Sequence, residues 1–107
     1  METQQFNTYG DAIEAALDWL RVRGVTNLDE AFEAKFGGFE IRSADSSSGY
    51  RLEFDHRSGP HINVWHHKVP GSHFTFRGNE QDVRAKWRQL FWWDPKVKRR
   101  SNLDSRI

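Results

Sequence analysis

A chain of 107 residues has room for one modest core, and its lack of cysteine excludes a disulfide framework, a thiolate zinc site and a cysteine nucleophile. No run of about 18 apolar residues is present, and the start METQQFNTYGD has neither the basic region nor the apolar stretch of a signal peptide. The net charge of +1 hides two opposed halves: residues 1–49 carry four Lys and Arg against nine Asp and Glu, a net of −5, and residues 50–107 carry twelve against six, a net of +6. A basic half that also holds His and Trp suits a polyanion such as nucleic acid.

Residues 1–7 read as a loose leader. Thr8 followed by Asp11 resembles a capping box with the shorter acid. Tyr9, Ala12, Ile13, Ala16, Leu17 and Leu20 then recur at helical spacing, and Gly24 is a natural stop. A second, shorter helix is expected from Leu28, with Leu28, Ala31, Phe32 and Phe36 as its stripe and Gly37-Gly38 as its end. Phe39–Ala44 reads as a strand, and Asp45-Ser46-Ser47-Ser48-Gly49 as a loop.

Three further strands follow. Tyr50–Asp55, His61–His66 and His73–Arg77 each alternate apolar and polar residues. Gly78 breaks the last, and Asn79 caps a third helix whose stripe is Val83, Trp87, Leu90 and Phe91, ending at Asp94-Pro95. The fold expected is α+β: two N-terminal helices, a four-stranded antiparallel sheet and a C-terminal helix packed on that sheet. Residues 1–95 form one domain. Residues 96–107, KVKRRSNLDSRI, are a basic tail in which Lys98 and Arg99 are placed to meet phosphates.

Strand alternation gathers the chemistry. With the apolar sides in register, the opposite face collects Arg51, Glu53, Asp55, His61, Asn63, Trp65, His73, Thr75 and Arg77. A register pairing Trp65 with His73, Asn63 with Thr75 and His61 with Arg77 sets the two histidines two steps apart, on either side of a bound phosphodiester. His61 then faces Glu53 or Asp55 on the other side. Cleavage of RNA without a metal needs a base for the 2′-hydroxyl, an acid for the leaving 5′-oxygen and a cation for the phosphorane. His61 and His73 suit the first two roles and Arg77 or Arg51 the third. Glu53 either orients His61 or is itself the base, and the spacing does not choose. Thr75 and Asn63 are placed to orient substrate, Lys68 to swing in from its loop, and Trp65 to stack on a base. His66 shares the parity of Ile62 and Val64 rather than that of His61 and His73, which argues against a shared zinc site; His56 and His67 fall in loops.

The stretch SGYRLEFDHRSGPHINVWHHKVPGSHFTFRGNEQDV resembles the C-terminal ribonuclease toxin modules of bacterial polymorphic toxins, the contact-dependent and Rhs-type effectors. Those modules carry an R-x-E-F/Y-D stretch, then G-x-H-I-N-V, a lysine-containing turn and G-x-H-F-T-F-x-G. The matching residues are Arg51, Glu53, Asp55, Gly59, His61, Asn63, Lys68, Gly71, His73, Thr75 and Gly78. The resemblance implies a barnase- or RelE-like fold and a toxin that cuts RNA, often tRNA, in a bacterial cytoplasm. It implies a cognate immunity protein as partner, and His61, Lys68, His73 and Thr75 as functional positions. The expected protein is therefore a metal-independent endoribonuclease without cofactor, away from membranes and monomeric when free. The alternative is a non-catalytic nucleic-acid- or protein-binding module.

Overall fold

A computed structural model describes residues 2–26, 28, 30–33, 39–43 and 45–93. In chain order the elements are β1 (Glu2–Phe6), α1 (Tyr9–Val22), β2 (Glu30–Glu33), β3 (Phe39–Arg42), β4 (Ser48–Asp55), β5 (Gly59–His66), β6 (Val69–Phe76) and α2 (Glu80–Trp93). The six strands make one sheet in the order β1-β6-β5-β4-β3-β2. Every neighbouring pair is antiparallel except β1 with β6, which is parallel.

Three expectations are corrected. Among the described residues the fold is α+β, but with one N-terminal helix rather than two, and with a six-stranded mixed sheet rather than four antiparallel strands. Where that second helix was expected, residues 30–33 form β2 and pair with residues 42–39 of β3, while Phe36 and Gly37-Gly38 lie outside the described residues. A four-residue segment of mixed polarity fits either period, and the ladder offered by β3 decides it. The loose leader is instead the edge strand β1, which runs beside β6 with Gln4 opposite Phe74. Its anchors are the Phe6 ring, 6.0 Å from that of Phe74, and the Thr75 hydroxyl, which donates to the Gln4 carbonyl at 3.2 Å.

Both helices cover the same face of the sheet. Tyr50, Leu52, Ile62, Val64, Phe74 and Phe76 line that face and close a core with Ala12, Ala16, Trp19 and Leu20 of α1 and Val83 of α2. α1 lies over β5, β6 and β1, and α2 mainly over β4. The Tyr9 ring meets Phe76 edge-on at 5.6 Å and receives the Lys86 ammonium at 4.9 Å, and its burial raises its pKa to about 12. The helix starts are those the sequence implies. Thr8 Oγ1 accepts from the Asp11 N–H at 3.1 Å. Asn79 and Asp82 form a reciprocal box, each backbone N–H donating to the other's side chain at 2.9 Å. Gly24 ends α1 with φ +84°, a left-handed conformation that favours glycine. The end of α2 at Asp94-Pro95 and the basic tail with Lys98 and Arg99 lie outside the described residues.

The pairing of β5 with β6 also corrects the expected register. Asn63 faces His73 and His61 faces Thr75, two residues away from the expected pairing. The strands are joined by a two-residue turn, His67-Lys68, with His67 at φ +48°. A bulge follows, because Val64 pairs with Ser72 and His66 with Val69, so Pro70 and Gly71 together oppose Trp65. Proline is tolerated there since a bulge leaves a ladder position unpaired. A two-residue shift keeps every side chain on its expected face.

Candidate functional site

The face of the sheet away from the helices carries the polar set. β4 contributes Arg51, Glu53 and Asp55, and β5 contributes His61, Asn63 and Trp65. His73 and Thr75 come from β6. Glu53 faces His61 and Arg51 faces Asn63 across the β4–β5 ladder. His61 and His73 are diagonal neighbours, and their ring centroids stand 5.2 Å apart with the planes 37° from parallel. The two imidazoles that the strand parity assigns to one face therefore do meet.

Their surroundings differ. His61 is only 3% exposed. Its Nδ1 lies 2.9 Å from the Gly59 carbonyl oxygen, which can only accept, so Nδ1 carries the hydrogen. Its Nε2 is 3.9 Å from Asp55 Oδ2, the counter-ion within reach when the ring is protonated. Asp55 is held as a carboxylate below its usual range, first by the Ser58 backbone N–H at 2.5 Å and then by the His61 ring. His73 is half-buried, and its pKa is lowered from 6.5, chiefly by burial and then by repulsion from His61. Glu53 and Asp55 oppose that shift without reversing it. His73 is thus mainly neutral near pH 7.

Glu53 is engaged on two sides. Its Oε1 accepts from Asn63 Nδ2 at 2.9 Å and lies 3.3 Å from Arg51 Nε. Arg51 Nε also lies 3.9 Å from Glu40, so this guanidinium is shared between two carboxylates and is poorly suited to clamp a phosphate. Arg77, just past the end of β6, is exposed. Of the two cations considered for the phosphate, it is the one not held by these acids. Lys68 stands in the turn at the far end of the hairpin. It is five residues beyond His73 along β6, about 17 Å away at ~3.3 Å per residue. The fold therefore does not bring Lys68 to the histidines.

The described residues contain no cluster of three or more His, Asp or Glu placed to hold a metal ion. His66 lies on the helix-covered side, where its Nδ1 meets Ser48 Oγ at 2.6 Å. It joins His67, Ser43, Asp45, Ser47 and Ser48 around a cavity of about 390 Å³ beside Gly24 and Val25 at the end of α1. Hydrogen bonds from Ser43 and Ser47 hold the Asp45 carboxyl at a pKa of about 2. The composition of Asp45–Gly49 reads as a loop, but Ser48 and Gly49 already belong to β4 and only the residues before them turn. The Asp-Ser-Ser-Ser run, in which an Asp side chain accepts from residues two positions away, was the available signal for this turn. No described helix is long and apolar enough to cross a membrane.

In comparisons with known proteins, no family model matches this sequence, and no characterised protein matches it.

Proposed function

We propose that this protein is a metal-independent endoribonuclease whose site is the open polar face of the sheet. The observation that carries the reading is the meeting of His61 and His73 at 5.2 Å, with His73 poised neutral. A neutral imidazole near the operating pH is suited to accept a proton. His73 takes the proton of the 2′-hydroxyl as that oxygen attacks phosphorus. The bond from phosphorus to the 5′-oxygen breaks, and His61, protonated on Nε2 opposite Asp55, gives its proton to the leaving oxygen. The products are a 2′,3′-cyclic phosphate and a 5′-hydroxyl. Arg77 supplies positive charge to the phosphorane, and Glu53, engaged by Asn63 and Arg51, orders the face rather than acting as base. The motif resemblance to polymorphic-toxin ribonucleases supports the same reading. It adds tRNA as a substrate, an immunity protein as partner and a bacterial cytoplasm as the place of action.

The burial of His61 favours a second reading, in which the same face binds nucleic acid without cutting it. The two are separated by incubating the protein with total tRNA in EDTA and examining the new ends. Cyclic-phosphate ends that disappear with His61→Ala support the nuclease. Salt-dependent binding with intact RNA supports the binding module. Intact RNA together with undiminished toxicity of His61→Ala in cells removes the nuclease reading.

A further inference from the structure

The polar face contains a second feature beside the histidine pair. Trp65 is flanked on both neighbouring strands by positions without a bulky side chain. On β4 it faces Gly49, and on β6 it faces the Pro70-Gly71 bulge. The indole lies across Gly49, where a Cβ would come within 2.7 Å of Trp65 Cζ2. Its Nε1–H donates to the Ser46 carbonyl at 3.3 Å, which fixes the ring's direction. The Arg51 guanidinium lies over the ring, 5.3 Å from its centroid, so an incoming base shares that side of the indole with it. Trp65 nevertheless remains only half-buried. A large aromatic held down at its edges and left partly open is a shelf.

One residue pair along β5 from Trp65 is Asn63. Its Nδ2 is given to Glu53, but its Oδ1 is buried without a hydrogen-bond partner. An orphaned buried acceptor is costly, and a turn of the Asn63 side chain toward the open face brings it within reach of a ligand N–H. Asn63 and Trp65 share a face at about 7 Å spacing, and His73 stands directly opposite Asn63. One nucleotide spans a comparable distance between its base and its phosphate.

We infer that Trp65, Gly49 and Asn63 form a nucleobase subsite that takes one unpaired base of a single-stranded RNA. The base stacks on the indole and presents an N–H donor to Asn63 Oδ1. The inference rests on the nucleic-acid reading of this face but not on cleavage. A base inside a duplex is stacked on both sides and has its Watson–Crick donors engaged, so it cannot use the shelf. The subsite therefore selects loops and single strands over helices.

The test uses a fluorescent 2′-O-methyl RNA hexamer, which lacks the attacking hydroxyl and so reports binding whether or not the protein cuts. The whole chain is titrated with the single strand and with its duplex, at fixed salt. The single strand is expected to bind at least tenfold more tightly. Trp65→Leu is expected to weaken single-strand binding about tenfold, within the range for loss of one stacked base. Trp65→Phe is expected to retain most of the affinity, and Asn63→Ala to lose part of it. Circular dichroism confirms that each variant is folded, and where Trp65→Leu is not, the single-strand preference of the parent and the loss in Asn63→Ala carry the test, unchanged affinity in folded Asn63→Ala then overturning the subsite. Equal affinity for single strand and duplex, no binding of the single strand, or unchanged affinity in folded Trp65→Leu would overturn the subsite. Cleavage of natural RNA that persists alongside any of these results would leave the nuclease reading standing without it.

Discussion

Replacing Gly49 with alanine probes both the β3–β4 pairing and the floor beneath Trp65. A Cβ at residue 49 would stand 2.4 Å from the Ile41 carbonyl oxygen, 2.9 Å from Arg42 Cα and 2.7 Å from Trp65 Cζ2. Two of these atoms are β3 backbone, which moves only if β3 separates from β4. The third is a ring tethered to the Ser46 carbonyl. Overpacking into such a site costs about 1–3 kcal/mol, and the immobility of the backbone atoms places Gly49→Ala near the top of that range. For a domain of this size, about 2–3 kcal/mol corresponds to a fall in Tm on the order of 10–20 °C. Thermal denaturation followed by circular dichroism reads it. Gly10→Ala is the matched control, since its Cβ would meet nothing closer than Thr8 Oγ1 at 3.8 Å within a helix. It is expected to raise stability by about 0.5–1 kcal/mol. A Gly49→Ala protein as stable as the parent would refute the close approach of the two strands and the placement of the indole.

Asn79→Ala removes one half of the reciprocal box at the start of α2 and is expected to cost about 1 kcal/mol, measured by urea denaturation with an unchanged m-value. The folded-state pKa of His73 lies below 6.5, so the unfolded chain binds the proton more readily. Its contribution to stability is intact above pH 6.5 and declines as the pH falls below that value, and His73→Gln is expected to flatten this part of the stability–pH curve. By the same shift, the acid limb of kcat/KM for RNA cleavage is expected below pH 6.5, and a limb at or above 6.5 would remove His73 as the base.

Much of the site was legible because strand parity survives errors of register. Alternation alone puts His61, Asn63, Trp65, His73 and Thr75 on one face, and a two-residue slip between β5 and β6 leaves them there. The slip arose because Pro70-Gly71 looks like a turn, whereas the chain turns at His67-Lys68 and spends Pro70-Gly71 on a bulge. His67 takes a positive φ there without the Asn-Gly signal that usually marks such turns. The edge strands β1 and β2 were missed for a different reason. Each is four or five residues long with no clear alternation, and each exists because a neighbouring strand offers an open ladder. The helix caps at Thr8 and Asn79 were readable because capping is a local hydrogen bond. The engagement of Arg51 by Glu40 and Glu53 was not, since it depends on which strands lie side by side.

The most direct measurement follows a single-stranded RNA in EDTA with the parent protein and with folded His73→Gln, reading initial rates and the chemistry of the new ends. The account predicts cyclic-phosphate ends from the parent and a loss of about 10²-fold or more in the variant, the usual contribution of a general base. No cutting by the parent, or equal cutting by both, would contradict it.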